Sequence, residues 1–267
     1  MTADILVTGG TGTIGRHVVP LLRGAGAPVR VLSRHRREPA DGIEYVTGDL
    51  LTGDGIEAAV AGVATVVHLA GGSNAKGDDE ATRTLVQAAS RAGTQHLVYI
   101  SVVGADRVPL SYFRNKLAAE QVVADSGLPF TTLRAAQVHD LVLTVVQTMA
   151  KLPVIPVPRG VRFQPVDAGE VAARLVELAL GTPAGPVPDL AGPKTYEMAE
   201  LIRGYLEARG SHRPKVPVRI PGKAGRAYRA GDNLSSDGAV EGERTWEDFL
   251  AGRVGQHTDR AHRVPCS

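Results

Sequence analysis

The sequence has a single cysteine, Cys266, so no intrachain disulfide can form. That agrees with a reducing compartment, and a cytoplasmic location is the expectation. Aromatics are scarce at 4%, with one Trp, which leaves the core to Val, Leu and Ala. Neither sign of charge dominates. Thirty Lys and Arg against 28 Asp and Glu leave a formal charge of +2, no global electrostatic footprint for nucleic acid. The apolar stretch 141–146 is far below the ~20 residues needed to span a bilayer. Met1-Thr2-Ala3-Asp4 lacks the basic region of a signal peptide. Nucleic acid and membrane are therefore not expected as partners. Also missing are His-Glu-x-x-His and any other metal-ligand spacing, and the Gly-x-Ser-x-Gly of an α/β-hydrolase. No metal is expected, and Cys266 lies in a polar tail where nothing would support a nucleophile.

What the sequence does have is an alternation of periods. Apolar, β-rich runs at 5–8, 29–32, 43–46, 65–69, 95–100 and 130–133 alternate with helical spacing at 14–22, 56–60, 79–91 and 111–125. Non-alternating strands of this kind are those of a sheet buried on both faces. The order predicts a doubly wound, mostly parallel α/β sheet. The second half is less regular. Helices are expected over 138–150, over 168–180 with Asp167 as cap, over 196–209 and over 246–254. Extended segments are expected at 152–158, 161–166, 189–192 and 216–220. The basic residues within 213–229 are interspersed with Pro and Gly and read as a solvated surface.

Thr8-Gly9-Gly10-Thr11-Gly12-Thr13-Ile14-Gly15 follows the first strand and opens the first helix. Glycines here serve a tight turn, a close approach of backbone to a diphosphate, and, at Gly15, close helix–strand packing. The free amides at the helix start, including those of Thr11, Thr13 and Ile14, would face anionic oxygens. No Lys-Ser or Lys-Thr pair follows, which disfavours a triphosphate P-loop. The chain therefore reads as a dinucleotide-binding Rossmann core over 1–135. Residues 136–267 partly complete the sheet and partly cover the substrate side, without folding independently.

The second strand ends in Leu32-Ser33-Arg34-His35-Arg36-Arg37, with no acid before Glu38. An acid there serves free ribose hydroxyls; an Arg fork suits a 2′-phosphate. Ser33, Arg34 and Arg37 thus favour NADP(H), with NAD(H) as the second option. Asp49 and Leu50 stand ready for adenine, although Asp49 can equally cap a turn. Leu69, Ala70 and Gly71 end the fourth strand with room for ribose or diphosphate. His68, one residue earlier, reads as a packed, hydrogen-bonded histidine. Tyr112 and Lys116 share a helical face. Lys116 would hold ribose hydroxyls and favour the Tyr112 phenolate, lowering a pKa normally near ~10, with Ser101 orienting a substrate carbonyl. The pair also occurs by chance on exposed helices. Val103, Gln137, His139 and Phe163 are the candidate substrate contacts, His139 being equally readable as a surface residue at a helix start.

These motifs, with Gly48-Asp49-Leu50, His68-Leu69-Ala70, Val98-Tyr99-Ile100-Ser101, residues 126–134 and Pro165-Val166-Asp167, resemble the atypical short-chain dehydrogenase/reductases, near their NmrA-like, NAD(P)H-binding branch. The resemblance covers most of 4–180. It implies an NADPH-dependent oxidoreductase that passes hydride to a carbonyl or quinone-like small molecule. Ser101 would orient substrate, Tyr112 donate the proton and Lys116 bind ribose. The stretch between Ser101 and Tyr112 is shorter than in extended members, so Lys116 carries over more safely than Tyr112. A non-catalytic NADP(H)-sensing regulator is the runner-up, and a sugar-nucleotide epimerase or dehydratase comes third. A monomer and a homodimer both remain open.

Overall fold

A computed structural model describes residues 4–39, 42–71 and 77–261. The first half runs β1 (Asp4–Thr8), α1 (Gly15–Gly24), β2 (Val29–Ser33), β3 (Ile43–Thr47), α2 (Ile56–Val60), β4 (Val63–His68) and α3 (Asp78–Arg91). It continues with β5 (His96–Val102), α4 (Ser111–Ala124), β6 (Phe130–Ala135) and α5 (His139–Ala150). After these come β7 (Ile155–Pro158), β8 (Arg162–Phe163), α6 (Ala168–Leu180), β9 (Gly185–Pro186), β10 (Leu190–Ala191) and β11 (Tyr196–Glu197). The described residues close with α7 (Met198–Ala208), β12 (Lys215–Val218), α8 (Gly222–Ala230), β13 (Val240–Glu241) and α9 (Trp246–Ala261).

The main sheet has the order β13-β10-β6-β5-β4-β1-β2-β3, with β9 also on β6, and all its pairings are parallel. This is the doubly wound, Rossmann-like α/β sheet that the alternation of periods predicts. Every residue of β5 is buried, because helices cover both faces of a parallel sheet. One core cluster joins α1 and α6 to one face, and a second joins α2, α3 and α4 to the other. The helix after Asp167 starts as expected, its Oδ1 accepting from the Gly169 amide at 2.7 Å.

Strand order reverses at β1, whose neighbours β2 and β4 carry the chain to opposite sides. A crevice opens at such a switch point beyond the carboxyl ends of the strands. A third cluster, built on Trp246, Phe249, Tyr196 and Leu201, packs α5, α7, β7 and α9 beside the sheet. The structure departs from the sequence reading in two places here. Tyr196 and Glu197 pair with β8 as a short antiparallel strand, so α7 begins only at Met198. Residues 222–230, without an assigned element in the sequence, form α8.

Candidate cofactor and active site

The glycine turn is shaped by contacts that forbid side chains. Gly9 has φ +68°, and a Cβ there would sit 2.7 Å from the Ala70 amide nitrogen and the Leu69 carbonyl carbon. A Cβ on Gly15 would lie 2.2 Å from the Gly9 oxygen. Gly15 thus packs the first turn of α1 onto the glycine turn itself, where the sequence reading expected helix–strand packing. Gly10 serves packing too, facing Val31. Gly12 differs: an added Cβ would meet only the Gly9 oxygen, at 3.2 Å, because it faces the cleft. The Thr13 and Ile14 amides donate to no partner among the described residues. No acidic side chain stands in the first turn of α1, so its positive end is open to an anion.

A cavity of about 430 Å³ lies in front of this turn. It gathers Gly9, Thr11, Gly12, Ser33, Arg34, Arg37, Asp49, Leu50, Leu69, Ala70 and Gly71 from four separate strand ends. Arg34 and Arg37 are exposed on its rim and form no ion pair among the described residues; Arg37 also lies over the Tyr45 ring at 5.9 Å. Ser33 Oγ donates to the His35 carbonyl (2.8 Å). Asp49 Oδ1 accepts from the Leu51 amide at 2.8 Å, the turn-capping role, and its residue still lines the cavity. Gly10, Thr13, Ile14 and Gly15 shape the turn behind the cavity wall.

At the far end stands a residue that sequence reasoning passed over. Asp78 lines the cavity, and its Oδ2 lies 2.9 Å from Lys116 Nζ. The two side chains are only 5% and 9% exposed. Lys116 also reaches Gly71, where an added Cβ would be 3.0 Å from Nζ. Asp78, Asp79 and Glu80 together look like an acidic first turn that complements the helix dipole. Burial separates Asp78 from the others, and no local pattern reports burial.

This changes the reading of Tyr112. Lys116 was expected to lower the phenol's pKa. Instead burial, then the Asp78 charge, pushes the Tyr112 phenol above its ordinary value. The ammonium is matched by a carboxylate at contact distance, so the Tyr112 phenolate gains no net cation. Tyr112 is half-buried, edge-on to Phe113 with ring centroids 5.4 Å apart. Ser101, at the end of β5, is 5% exposed and its Oγ has no hydrogen-bond partner among the described residues.

His68 holds the floor of the cleft, as a packed and hydrogen-bonded residue. Its Nδ1 is 2.7 Å from Thr8 Oγ1 and its Nε2 is 3.1 Å from Thr82 Oγ1. The Thr82 hydroxyl donates to the Asp78 carbonyl at 2.6 Å, so it accepts from His68 Nε2–H. Thr8 then donates to Nδ1 while accepting from the Ala70 amide at 3.2 Å. The chain of bonds requires a neutral imidazole and ties β1, β4 and α3 together. Burial, helped by the Lys116 charge, pushes the His68 pKa down to about 3. In the unfolded chain it returns to ~6.5. Stability from this residue is therefore complete above pH 6.5 and declines as the pH falls toward about 3, with a slope of ~1.4 kcal/mol per pH unit. Urea midpoints measured between these values should decline less steeply in His68→Gln than in the wild type.

On the substrate side two expectations are corrected. His139 is 0% exposed and touches no cleft. It stacks on Phe249 with centroids 4.9 Å apart, near Trp246 at 5.9 Å, because its amide is pinned to the Val166 carbonyl (2.9 Å) at the start of α5. Val103 is likewise 0% exposed, its side chain spent on the core against α6 and β10. Gln137 is half-buried, with Oε1 lacking a partner among the described residues. Phe163 is half-buried and faces Tyr228 on α8 at 6.0 Å. Tyr228 and Tyr112 pack on the same small cluster of Val102, Ala105, Val108 and Phe113.

Comparison with known proteins agrees with this geometry. A family described as NAD(P)H-binding matches residues 9–160. The chain is 30% identical to High chlorophyll fluorescence phenotype 244, a chloroplastic protein of Arabidopsis thaliana, over 81% of this chain and 59% of that one. It is 27% identical to the ceramide reductase of Caulobacter vibrioides, over 96% of this chain and 84% of the relative. The fold matches an NADPH-dependent quinone oxidoreductase of Escherichia coli solved with NADPH. The TM-score is 0.79 at 18% identity, covering 93% and 99% of the two chains. No helix among the described residues is long and apolar enough to cross a membrane. With the family match running over more than half its length, the chain belongs to the NAD(P)H-binding family, in keeping with the atypical short-chain dehydrogenase/reductase motifs it carries.

Proposed function

We propose that the chain is an NADPH-dependent oxidoreductase acting on a carbonyl or quinone-like small molecule. The observation that carries this reading is the run of one cleft from Arg34 and Arg37, which form no ion pair among the described residues, past the glycine turn, to the buried Lys116–Asp78 pair. The residues present fit a dinucleotide. Open amides and the bare Gly12 suit the linked phosphates, and the two guanidinium groups suit a 2′-phosphate. When bound, the dinucleotide supplies the hydride.

The chain supplies position and polarity. Lys116 and Asp78 offer a donor and an acceptor to ribose hydroxyls. Ser101 Oγ, buried and without a partner among the described residues, donates to a substrate carbonyl oxygen. Tyr112, its phenol held neutral, is the proton donor of this reading. The names of the Caulobacter reductase and the Escherichia coli quinone oxidoreductase support the reaction class. NADPH oxidation across a panel of small quinones and aldehydes tests it. Turnover should fall at least tenfold in Ser101→Ala, the scale of one polarising donor, with NADPH affinity unchanged.

One observation favours the sensor reading instead: the disfavoured Tyr112 phenolate. Tight NADPH binding without turnover on any acceptor, and no change in Tyr112→Phe, would establish that alternative. Cofactor preference is tested separately. Arg34→Ala should weaken NADPH by roughly tenfold or more, the loss of a charge-assisted bond to phosphate, and leave NADH nearly unaffected. Equal losses for the two cofactors in titration calorimetry would remove the 2′-phosphate role.

A further inference from the structure

Two stretches without a single acid, far apart in sequence, are joined by one pair of strands. No Asp or Glu lies between Asp140 and Asp167, or between Glu207 and Asp232. With 28 acids in 267 residues, those fifty positions would hold about five at the average density. β7 and β12 bring the two stretches side by side, with Lys215 beside Ile155 and Val216 beside Pro156. The Arg159 amide donates to the Val218 carbonyl just beyond.

The result is a two-stranded ribbon with one sign of charge. Lys151, Arg159, Arg213, Lys215 and Arg219 are all exposed, and none forms an ion pair among the described residues. Among them stand Leu152, Val154 and Val216, 45%, 44% and 49% exposed. The inward residues Ile155 and Val157 already fill the third core cluster, so the core does not need these three. A single exposed aliphatic residue is ordinary. Val216 in β12, with Leu152 and Val154 just ahead of β7, stands among cations that form no ion pair among the described residues, a composition that matches the interface of an anionic bilayer, where aliphatic tips enter the acyl boundary and cations meet headgroups. The ribbon carries no aromatic for base stacking, which disfavours single-stranded nucleic acid. Pro217 removes a donor from β12, and Pro214 another just before it, which disfavours an added strand.

We infer that the β7–β12 ribbon docks the chain reversibly on an anionic lipid surface. The expectation of no membrane partner rested on the lack of a spanning segment, and peripheral docking needs none. The inference stands apart from the oxidoreductase reading.

Co-sedimentation of the full chain with phosphatidylcholine vesicles, with and without about 30% phosphatidylglycerol, tests it. Binding is expected only to the anionic vesicles and should vanish in about 0.5 M salt. Each cation near such a surface is worth about a fivefold change in partitioning. Arg213→Glu/Lys215→Glu/Arg219→Glu should therefore lower binding by well over tenfold. Leu152→Ser/Val216→Ser should lower it at unchanged charge, with NADPH affinity intact in both variants as a check on folding. Absence of wild-type binding to anionic vesicles would overturn the inference. So would equal binding by the charge-reversed variant, a change of oligomeric mass in place of lost vesicle binding, or preference for an oligonucleotide over the vesicles.

Discussion

Lys116→Met should cost the protein both stability and its cofactor, and Asp78→Asn in the same chain should return only the stability. The reason lies in the burial of the pair. Nζ and Oδ2 are 2.9 Å apart with side chains 9% and 5% exposed. Removing the lysine strands a carboxylate in a site that water scarcely reaches, a defect of about 3–5 kcal/mol. Small domains hold about 5–15 kcal/mol in all, so the urea midpoint should drop visibly. Neutralising Asp78 removes the stranded charge. Most of the loss should then be recovered, although both groups proposed to meet ribose are gone. Calorimetry with two probes separates these effects. Adenosine 2′,5′-bisphosphate reaches only the end marked by Arg34 and should bind the double variant as it binds the wild type. NADPH, which extends to the other end, should bind about tenfold more weakly or worse, the scale of a lost bond to a charged group. Wild-type affinity for NADPH in the double variant would make the pair a purely structural one.

The same pair shows where sequence reasoning stops. The strands and most helices were legible because their signals are local. Ile5-Leu6-Val7 carries no alternation, the glycine turn punctuates it, and Asp167 caps the helix behind it. The cleft was legible for the same reason, since Gly12, Arg34, Asp49 and Ala70 all sit at strand ends, which a parallel sheet must bring to one edge. Contacts between distant segments were not. His139 read equally as a substrate contact and as an exposed helix start because its covering rings, Trp246 and Phe249, come more than a hundred residues later. Tyr112 was assigned a lowered pKa from the lysine one turn on, whereas burial, and after it the charge of Asp78 on another helix, raises it. α8 escaped notice because Gly222-Lys-Ala-Gly-Arg-Ala-Tyr-Arg has little apolar periodicity; of its nine residues only Gly225 and Ala227 are buried. The charged ribbon was legible only as an extended segment at 152–158 and a solvated basic stretch within 213–229, until strand pairing joined them.

Within the glycine turn, Gly12→Ala and Gly15→Ala should fail in different ways. At Gly15 the added carbon would lie 2.2 Å from the Gly9 oxygen, 2.6 Å from Gly10 Cα and 2.7 Å from the Gly10 carbonyl carbon. All three are backbone atoms, so α1 must retreat from the turn rather than a side chain yield. Forced overpacking of this kind costs about 1–3 kcal/mol, occasionally more, and it displaces the amides that would meet phosphate. Gly15→Ala should therefore lose stability and cofactor together. At Gly12 the added carbon meets one atom, the Gly9 oxygen at 3.2 Å, and otherwise projects into the cavity. Its effect on the urea midpoint should stay below about 1 kcal/mol, since a small relaxation relieves a single contact. NADPH binding should nevertheless fall by at least about tenfold, because the methyl occupies the space where diphosphate approaches the backbone. Lost affinity with retained stability is the signature of a turn built to touch a ligand. If Gly12→Ala bound NADPH as the wild type does, the turn would be a packing device alone, and the phosphates would have to be placed elsewhere in the cleft.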